Sequence, residues 1–179
     1  DFDVHEYWIF KNVSLYCVPS EEIKEKLIQK GIAEEKIVVS GIPVSPIFNQ
    51  SKNLEQLKNK FNLKKNLPVL LIMGGVLGLG EIKKVVCCLL KKSTFSFQMI
   101  VVAGKNEKLK QELEQLKKQL DKSVFLNKEI KIFGYVKCID ELMKISDVLI
   151  SKPGGLTSSE ALAVGLPMVI VKSLPAQEE

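Results

Sequence analysis

The 179-residue chain contains one histidine (His5), one tryptophan and four cysteines: Cys17, Cys87, Cys88 and Cys138. A single histidine at the extreme N-terminus leaves no means of building Ser-His-Asp or Cys-His chemistry anywhere else in the chain. The cysteines show no CxxC spacing and no companion histidines, so a zinc site is not expected and buried, reduced thiols are. No apolar run approaches the ~20 residues of a membrane-spanning helix. The phosphate-binding Walker pattern is also missing, because no Lys-Ser/Thr pair follows Gly80.

Charge is present in quantity but not concentrated. Lysine and arginine together number 26 against 21 acidic residues, a formal balance of +5. The lysines are spread through helical stretches such as 105–122, which reads as solvated helix faces, and nucleic acid is not an expected partner. The chain opens on Asp1 rather than a methionine and stops at Glu179 in a polar stretch. The expectation is a piece of a larger protein.

Short apolar runs alternate with amphipathic stretches along the whole length. Strands are expected at 13–18, 37–40, 69–73, 98–103, 130–133, 148–151 and 168–171. Helices are expected at 20–30, 54–61, 81–91, 107–118, 139–145 and 157–164. Ser20 would cap the first helix and Gly31 would end it. In the helix over 81–91, Ile82, Val85, Val86, Leu89 and Leu90 form one stripe. Strands of four to six residues, each followed by a helix, imply right-handed βαβ units and a parallel sheet covered on both faces. The expected fold class is therefore α/β with a Rossmann-like sheet, preceded by the remnant of another unit. "GIPVSPIFNQSKN", from Gly41, carries two prolines and a polar tail and reads as a linker. It sets the expected division at 1–48 and 49–179.

Ligands of open parallel sheets sit beyond the carboxyl ends of the strands, and glycine-bearing loops leave the strands there. "MGGVLGLGE" (73–81) runs into a helix N-terminus, whose free N–H groups and dipole attract an anion; a glycine turn used only for packing would look the same. "AGKNEK" (103–108) and "FGYV" (133–136) are ordinary turns taken alone, although Gly134 would let a base or sugar approach the backbone. In "SKPGGLTSSEALAVGLP", Lys152 and Gly154-Gly155 stand just before a helix expected to start near Thr157. An ammonium, backbone donors and a helix dipole would converge there, which suits a diphosphate. A capping box, with Glu160 reaching back to Thr157, accounts for those two residues but not for Lys152 or the paired glycines.

Together, "SKPGGLTSSEALAVGLPMVIVKSLPAQEE", "MGGVLGLG", "AGKNEKL" and "FGYV" resemble the carboxy-terminal, donor-binding half of GT-B glycosyltransferases. They are similar to processive diacylglycerol glucosyltransferases and monogalactosyldiacylglycerol synthases, and more distantly to the lipid II-forming GlcNAc transferase. The first 48 residues resemble the end of the acceptor domain in the glycolipid branch. The resemblance implies inverting, metal-free transfer of a hexose from UDP-glucose or UDP-galactose to diacylglycerol, with no cofactor. It implies a cytoplasmic protein, peripheral at the inner face of the cell membrane. Gly74, Gly75 and Gly78 would approach the diphosphate, held from the other side by Gly154, Gly155 and Thr157 beside Lys152.

Gly104 and Asn106 join this implied donor set. Phe133, Gly134, Tyr135 and Val136 would frame the uracil, Glu160 would take the ribose hydroxyls, and Gln177 and Glu178 would bond the sugar. Ala176 stands where relatives more often have glycine, which leaves the sugar open. The DxD-like Asp1-Phe2-Asp3 is read as coincidence or as acceptor-side structure. His5 is the one catalytic candidate, and the general base is expected outside this chain. The rival functions are peptidoglycan GlcNAc transfer and a non-catalytic nucleotide-sugar-binding module.

Overall fold

The computed structural model describes residues 4–10, 12–78, 81–120, 123 and 127–171. The chain divides into two units, Asp1–Val44 and Ser45–Glu179.

In the first unit, β1 (Tyr16–Val18), α1 (Glu21–Gln29) and β2 (Ile37–Val39) form a parallel pair with its crossover helix. The Ser20 hydroxyl accepts from the Ile23 N–H and caps α1, and Gly31 leaves the helix at φ +86°. Val4, Val18, Ile23, Leu27 and Ile37 make the core. The first strand is shorter than its apolar run, because β2 offers partners only from Ile37, opposite Tyr16, to Val39, opposite Val18.

The second unit is a five-stranded sheet in the order β5-β4-β3-β6-β7, every neighbouring pair parallel. Its strands are β3 (Val69–Met73), β4 (Phe97–Val102), β5 (Lys128–Phe133), β6 (Val148–Ser151) and β7 (Met168–Ile170). Its helices are α2 (Leu54–Lys60), α3 (Ile82–Lys92), α4 (Glu107–Gln119), α5 (Ile139–Lys144) and α6 (Gly155–Ala163). Strands β3 and β4 are buried at every residue, as central parallel strands must be. Right-handed crossovers put α3 and α4 on one face, and the reversal at β3/β6 sends α5 and α6 to the other. On the first face Ile82, Val86 and Leu90 of α3 and Leu113 of α4 pack on Leu70, Ile72, Met99, Val101 and Ile130. This is the stripe that the helical spacing marked.

Buried polar groups in this unit are paired with few exceptions. Gln98 of β4 is fully buried; its carbonyl accepts from the Lys64 N–H at 2.6 Å, and its amide donates to the Lys64 and Leu67 carbonyls. Strand β5 begins two residues before its apolar run. It is an edge strand, where a lysine is tolerated, and the Lys128 ammonium donates to the Leu90 and Ser93 carbonyls at the end of α3 at 2.8 and 2.7 Å. Those carbonyls have no helical partner of their own.

From Ser45 onward, the segment expected as a linker is tied down. A 3-10 turn at Pro46–Asn49 buries Phe48, and Lys144 of α5 donates to the Ile47 and Gln50 carbonyls. Lys52 donates to Asp140 of α5 at 2.5 Å, and Glu141 pairs with Lys60 at 2.5 Å. The expectation of buried thiols fails: Cys17 and Cys88 are exposed and Cys87 and Cys138 half-buried. In α3 the cysteines fall outside the Ile82-Val86-Leu90 stripe.

Asp140 is 2% exposed, and removing it takes the nearer carboxylate from the Lys52 ammonium and leaves it Glu141 at 3.5 Å. Asp140→Ala is expected to cost about 1–3 kcal/mol, read from urea midpoints. The double variant Lys52→Met/Asp140→Ala should recover part of that loss, because no unpaired charge remains.

Candidate functional site

All five strands of the larger sheet point the same way, so the loops after β3, β4, β5 and β6 emerge at one edge. Strand order reverses between β3 and β6, and the loops that follow these two strands diverge there. This crevice is where open α/β sheets take ligands. Met73 pairs with Ser151 in register, so both loops start from the same height.

The loop after β3 carries two glycines in the left-handed region, Gly75 (φ +70°) and Gly78 (φ +57°). The Gly78 N–H donates to the Gly75 carbonyl at 3.1 Å. This loop is interlocked with the loop after β4. A Cβ on Gly78 would lie 2.1 Å from the Ala103 carbonyl oxygen, and one on Gly104 (φ +62°) would lie 2.3 Å from that of Val76. The Lys105 N–H donates to the Val76 carbonyl at 2.7 Å. Backbone packing thus accounts for glycine at 78 and 104. Asn106 is similarly occupied: its Oδ1 accepts from the Leu109 N–H at 2.9 Å, capping α4, and its Nδ2 donates to the Gly78 carbonyl at 3.4 Å.

Beyond β5, the Phe133 ring meets Phe61 edge-to-face at 6.2 Å. Gly134 has no positive φ, and a Cβ there would sit in ordinary contact, 3.6 Å from Glu107 Oε1 and from Lys110 Cδ. Tyr135 is exposed with the Lys105 ammonium 5.8 Å above its ring, and Val136 is half-buried.

Beyond β6 comes Lys152, and α6 begins three residues later at Gly155. This corrects the expected start at Thr157. Gly154 is the N-cap at φ −76°, with no side-chain cap, and Thr157 lies inside the first turn, so the Thr157–Glu160 capping box does not form. The amides of Gly155, Leu156 and Thr157 stand at a helix start, where the helix supplies no acceptors. Neither Gly154 nor Gly155 has a positive φ, so local conformation does not call for glycine at either. A Cβ placed on Gly75 would lie 3.7 Å from Lys152 Cε. The first glycine loop and the lysine therefore face each other across the crevice. The chain contains no arginine, so lysine is the one permanent cation it can offer an anion.

Glu160 is half-buried and, among the described residues, has no hydrogen-bond or ion-pair partner. Burial raises the pKa of its carboxyl above the ordinary value. The sequence pattern passed over Ser151. It is fully buried, and its hydroxyl has no hydrogen-bond partner among the described residues; a serine closing an apolar strand run was the available signal. His5 lies in the first unit, exposed, capping a 3-10 turn through Nδ1 and stacked on Tyr7 at 4.8 Å. Gln177, Glu178, Ala176 and the Asp1–Asp3 motif fall outside the described residues. Among the described residues, no three His, Cys, Asp or Glu side chains gather as a metal site would need, and no helix is long and apolar enough to cross a membrane.

The architecture is that of the C-terminal, Rossmann-like half of GT-B glycosyltransferases. The chain belongs to glycosyltransferase family 28, whose C-terminal domain model matches residues 69–179. A second family model, monogalactosyldiacylglycerol (MGDG) synthase, matches residues 1–44.

The chain is 41% identical over 179 residues to a processive diacylglycerol beta-glucosyltransferase of Bacillus cereus (strain B4264), covering 99% of this chain and 44% of the relative. To the Bacillus subtilis (strain 168) protein of the same name it is 38% identical, covering 100% and 45%. It thus spans less than half the length of these curated relatives. Among solved structures, UDP-GlcNAc 2-epimerase from Neisseria meningitidis bound to UDP-GlcNAc aligns with TM-score 0.60 at 19% identity, over 90% of this chain and 45% of that one. Anabaena HepE in complex with UDP and glucose gives 0.58 at 19%, over 92% and 46%. Acinetobacter baumannii MurG gives 0.55 at 20%, over 79% and 38%. Likeness at these identities concerns the fold, which serves an epimerase as well as transferases.

The loop interlock predicts a ranking of glycine substitutions. Gly78→Ala and Gly104→Ala should each cost more than about 2 kcal/mol, because each combines a left-handed backbone with a clash against a carbonyl. Gly134→Ala should cost less than about 1 kcal/mol. Chemical denaturation of the three variants tests the order.

Proposed function

We propose that this chain is the donor-nucleotide half, with the end of the acceptor domain, of an inverting and metal-independent glycosyltransferase. The enzyme would move a hexose from a UDP-sugar to diacylglycerol. The observation that carries this is the crevice where Gly75 faces Lys152 across the switch point, beside the start of α6, in a chain whose relatives are named diacylglycerol glucosyltransferases. Ammonium, backbone N–H groups and helix dipole suit a diphosphate without a divalent ion. Glu160 would accept from the ribose hydroxyls, and the 133–136 loop would frame the base.

In the proposed reaction, the acceptor hydroxyl attacks the anomeric carbon from the face opposite UDP. Its proton goes to a base outside this chain, and the electrons of the breaking C–O bond go to the β-phosphate. The crevice would stabilise that developing charge. Residues 45–179 contain 21 lysines against 13 acidic residues, a balance of +8. That sign suits a peripheral enzyme at an anionic membrane surface.

Residues 1–179 should bind UDP in EDTA by calorimetry and transfer nothing, since the base and most of the acceptor domain are absent. The full-length protein should release UDP from UDP-glucose or UDP-galactose when offered diacylglycerol vesicles. Strict magnesium dependence of UDP binding would overturn the donor site. Turnover with lipid I in place of diacylglycerol would move the enzyme to peptidoglycan synthesis, and binding without turnover would leave a nucleotide-sugar module.

Glu160 supplies a pH signature. Its raised pKa means that the carboxylate, the form that accepts from ribose, is lost sooner on acidification than an ordinary carboxylate would be. UDP affinity should fall as pH drops through that raised pKa, and Glu160→Gln should remove the inflection. At neutral pH the variant should bind about tenfold more weakly or worse, the worth of a charge-assisted hydrogen bond. Its melting temperature should hold, since no partner in the fold is lost.

A further inference from the structure

We propose that Asn106 is a positioning residue, not a ligand, and that it sets the shape of the glycine loop after β3 before any nucleotide arrives. The inference rests on the donor-site reading above. The 74–78 loop has little anchorage of its own, because Val76 and Leu77 are 55% and 60% exposed. What holds it comes from the neighbouring loop: the Lys105 N–H on the Val76 carbonyl at 2.7 Å and the Asn106 amide on the Gly78 carbonyl at 3.4 Å. Asn106 at the same time caps α4 through Oδ1 at 2.9 Å.

Helix α4 is a firm support. It buries Leu113 completely, and Glu112 pairs with Lys83 of α3 at 2.9 Å. One carboxamide therefore joins a packed helix to a loop without a core. Both of its ends are engaged, so a nucleotide is not needed to hold the side chain in place. Preorganisation of this kind raises affinity by removing the cost of ordering the loop on binding.

Asn106→Asp separates the two roles. Aspartate keeps the Oδ1 acceptor for the Leu109 N–H and is an equally good N-cap, with a charge that suits a helix start. It replaces the amide donor with an oxygen facing the Gly78 carbonyl. In the full-length protein, UDP affinity should fall about five- to tenfold, with the melting temperature unchanged or higher. Without ligand, amide exchange at Gly78, whose N–H is bonded to the Gly75 carbonyl, should speed up. Asn106→Ala should lose both stability and affinity.

If Asn106→Asp exchanges at Gly78 like wild type while binding UDP more weakly, Asn106 is a direct ligand and the proposal fails. It also fails if affinity and exchange are both unchanged, or if affinity falls only alongside stability. A wild-type protein that does not bind UDP would refute the donor-site reading instead, and the exchange measurement would still report on the loop tie by itself.

Discussion

At Gly78 and Gly104 the space a side chain would fill is occupied by the carbonyl oxygens of Ala103 and Val76. The arrangement of the loops after β3 and β4 follows from this mutual approach of two backbones. It locks the loop after β3 against the loop after β4 and directs that loop's other left-handed glycine, Gly75, towards Lys152. The approach is possible because β3 and β4 are neighbours in register, with Met73 opposite Val102. Their loops therefore leave the sheet side by side. A residue with a side chain at either position would have to push the two loops apart.

The crevice is built mainly from backbone, and its charges are few. Lysine is the only permanent cation, and α6 presents its N-terminus without a capping side chain. Such an edge suits an anion. Elsewhere the lysines act structurally. Lys128 closes the end of α3, and Lys52 and Lys144 fasten the segment before α2 to α5. In a chain without arginine, lysine takes on helix capping, ion pairing and anion attraction alike.

The glycines divide into two groups by cause. At 75, 78 and 104 the backbone angle requires glycine, and at 78 and 104 a neighbouring carbonyl requires it again. At 154 and 155 the backbone angle does not require glycine. Packing between the two loops therefore accounts for glycine at 78 and 104 without reference to a ligand.

The strands and helices were legible in the sequence because burial on both sides of a parallel sheet writes unbroken apolar runs such as Val69–Met73, and a helix packed on one face writes the Ile82-Val86-Leu90 stripe. Chain direction did the rest: strand, loop and helix in alternation place every glycine loop at one edge. Boundaries that depend on a partner were not legible. β1 is short because β2 is short, and β5 is long because an edge strand can hold Lys128 over the end of α3. The start of α6 at Gly155 cancelled a capping box that Thr157 and Glu160 had suggested by spacing alone. The sequence by itself determined the class of fold and the four loops that form the edge, since these follow from local periodicity. Only the tertiary structure decided which glycines are clasped by a neighbouring carbonyl and which are open, because that depends on atoms far apart in the chain being brought within a van der Waals radius of each other.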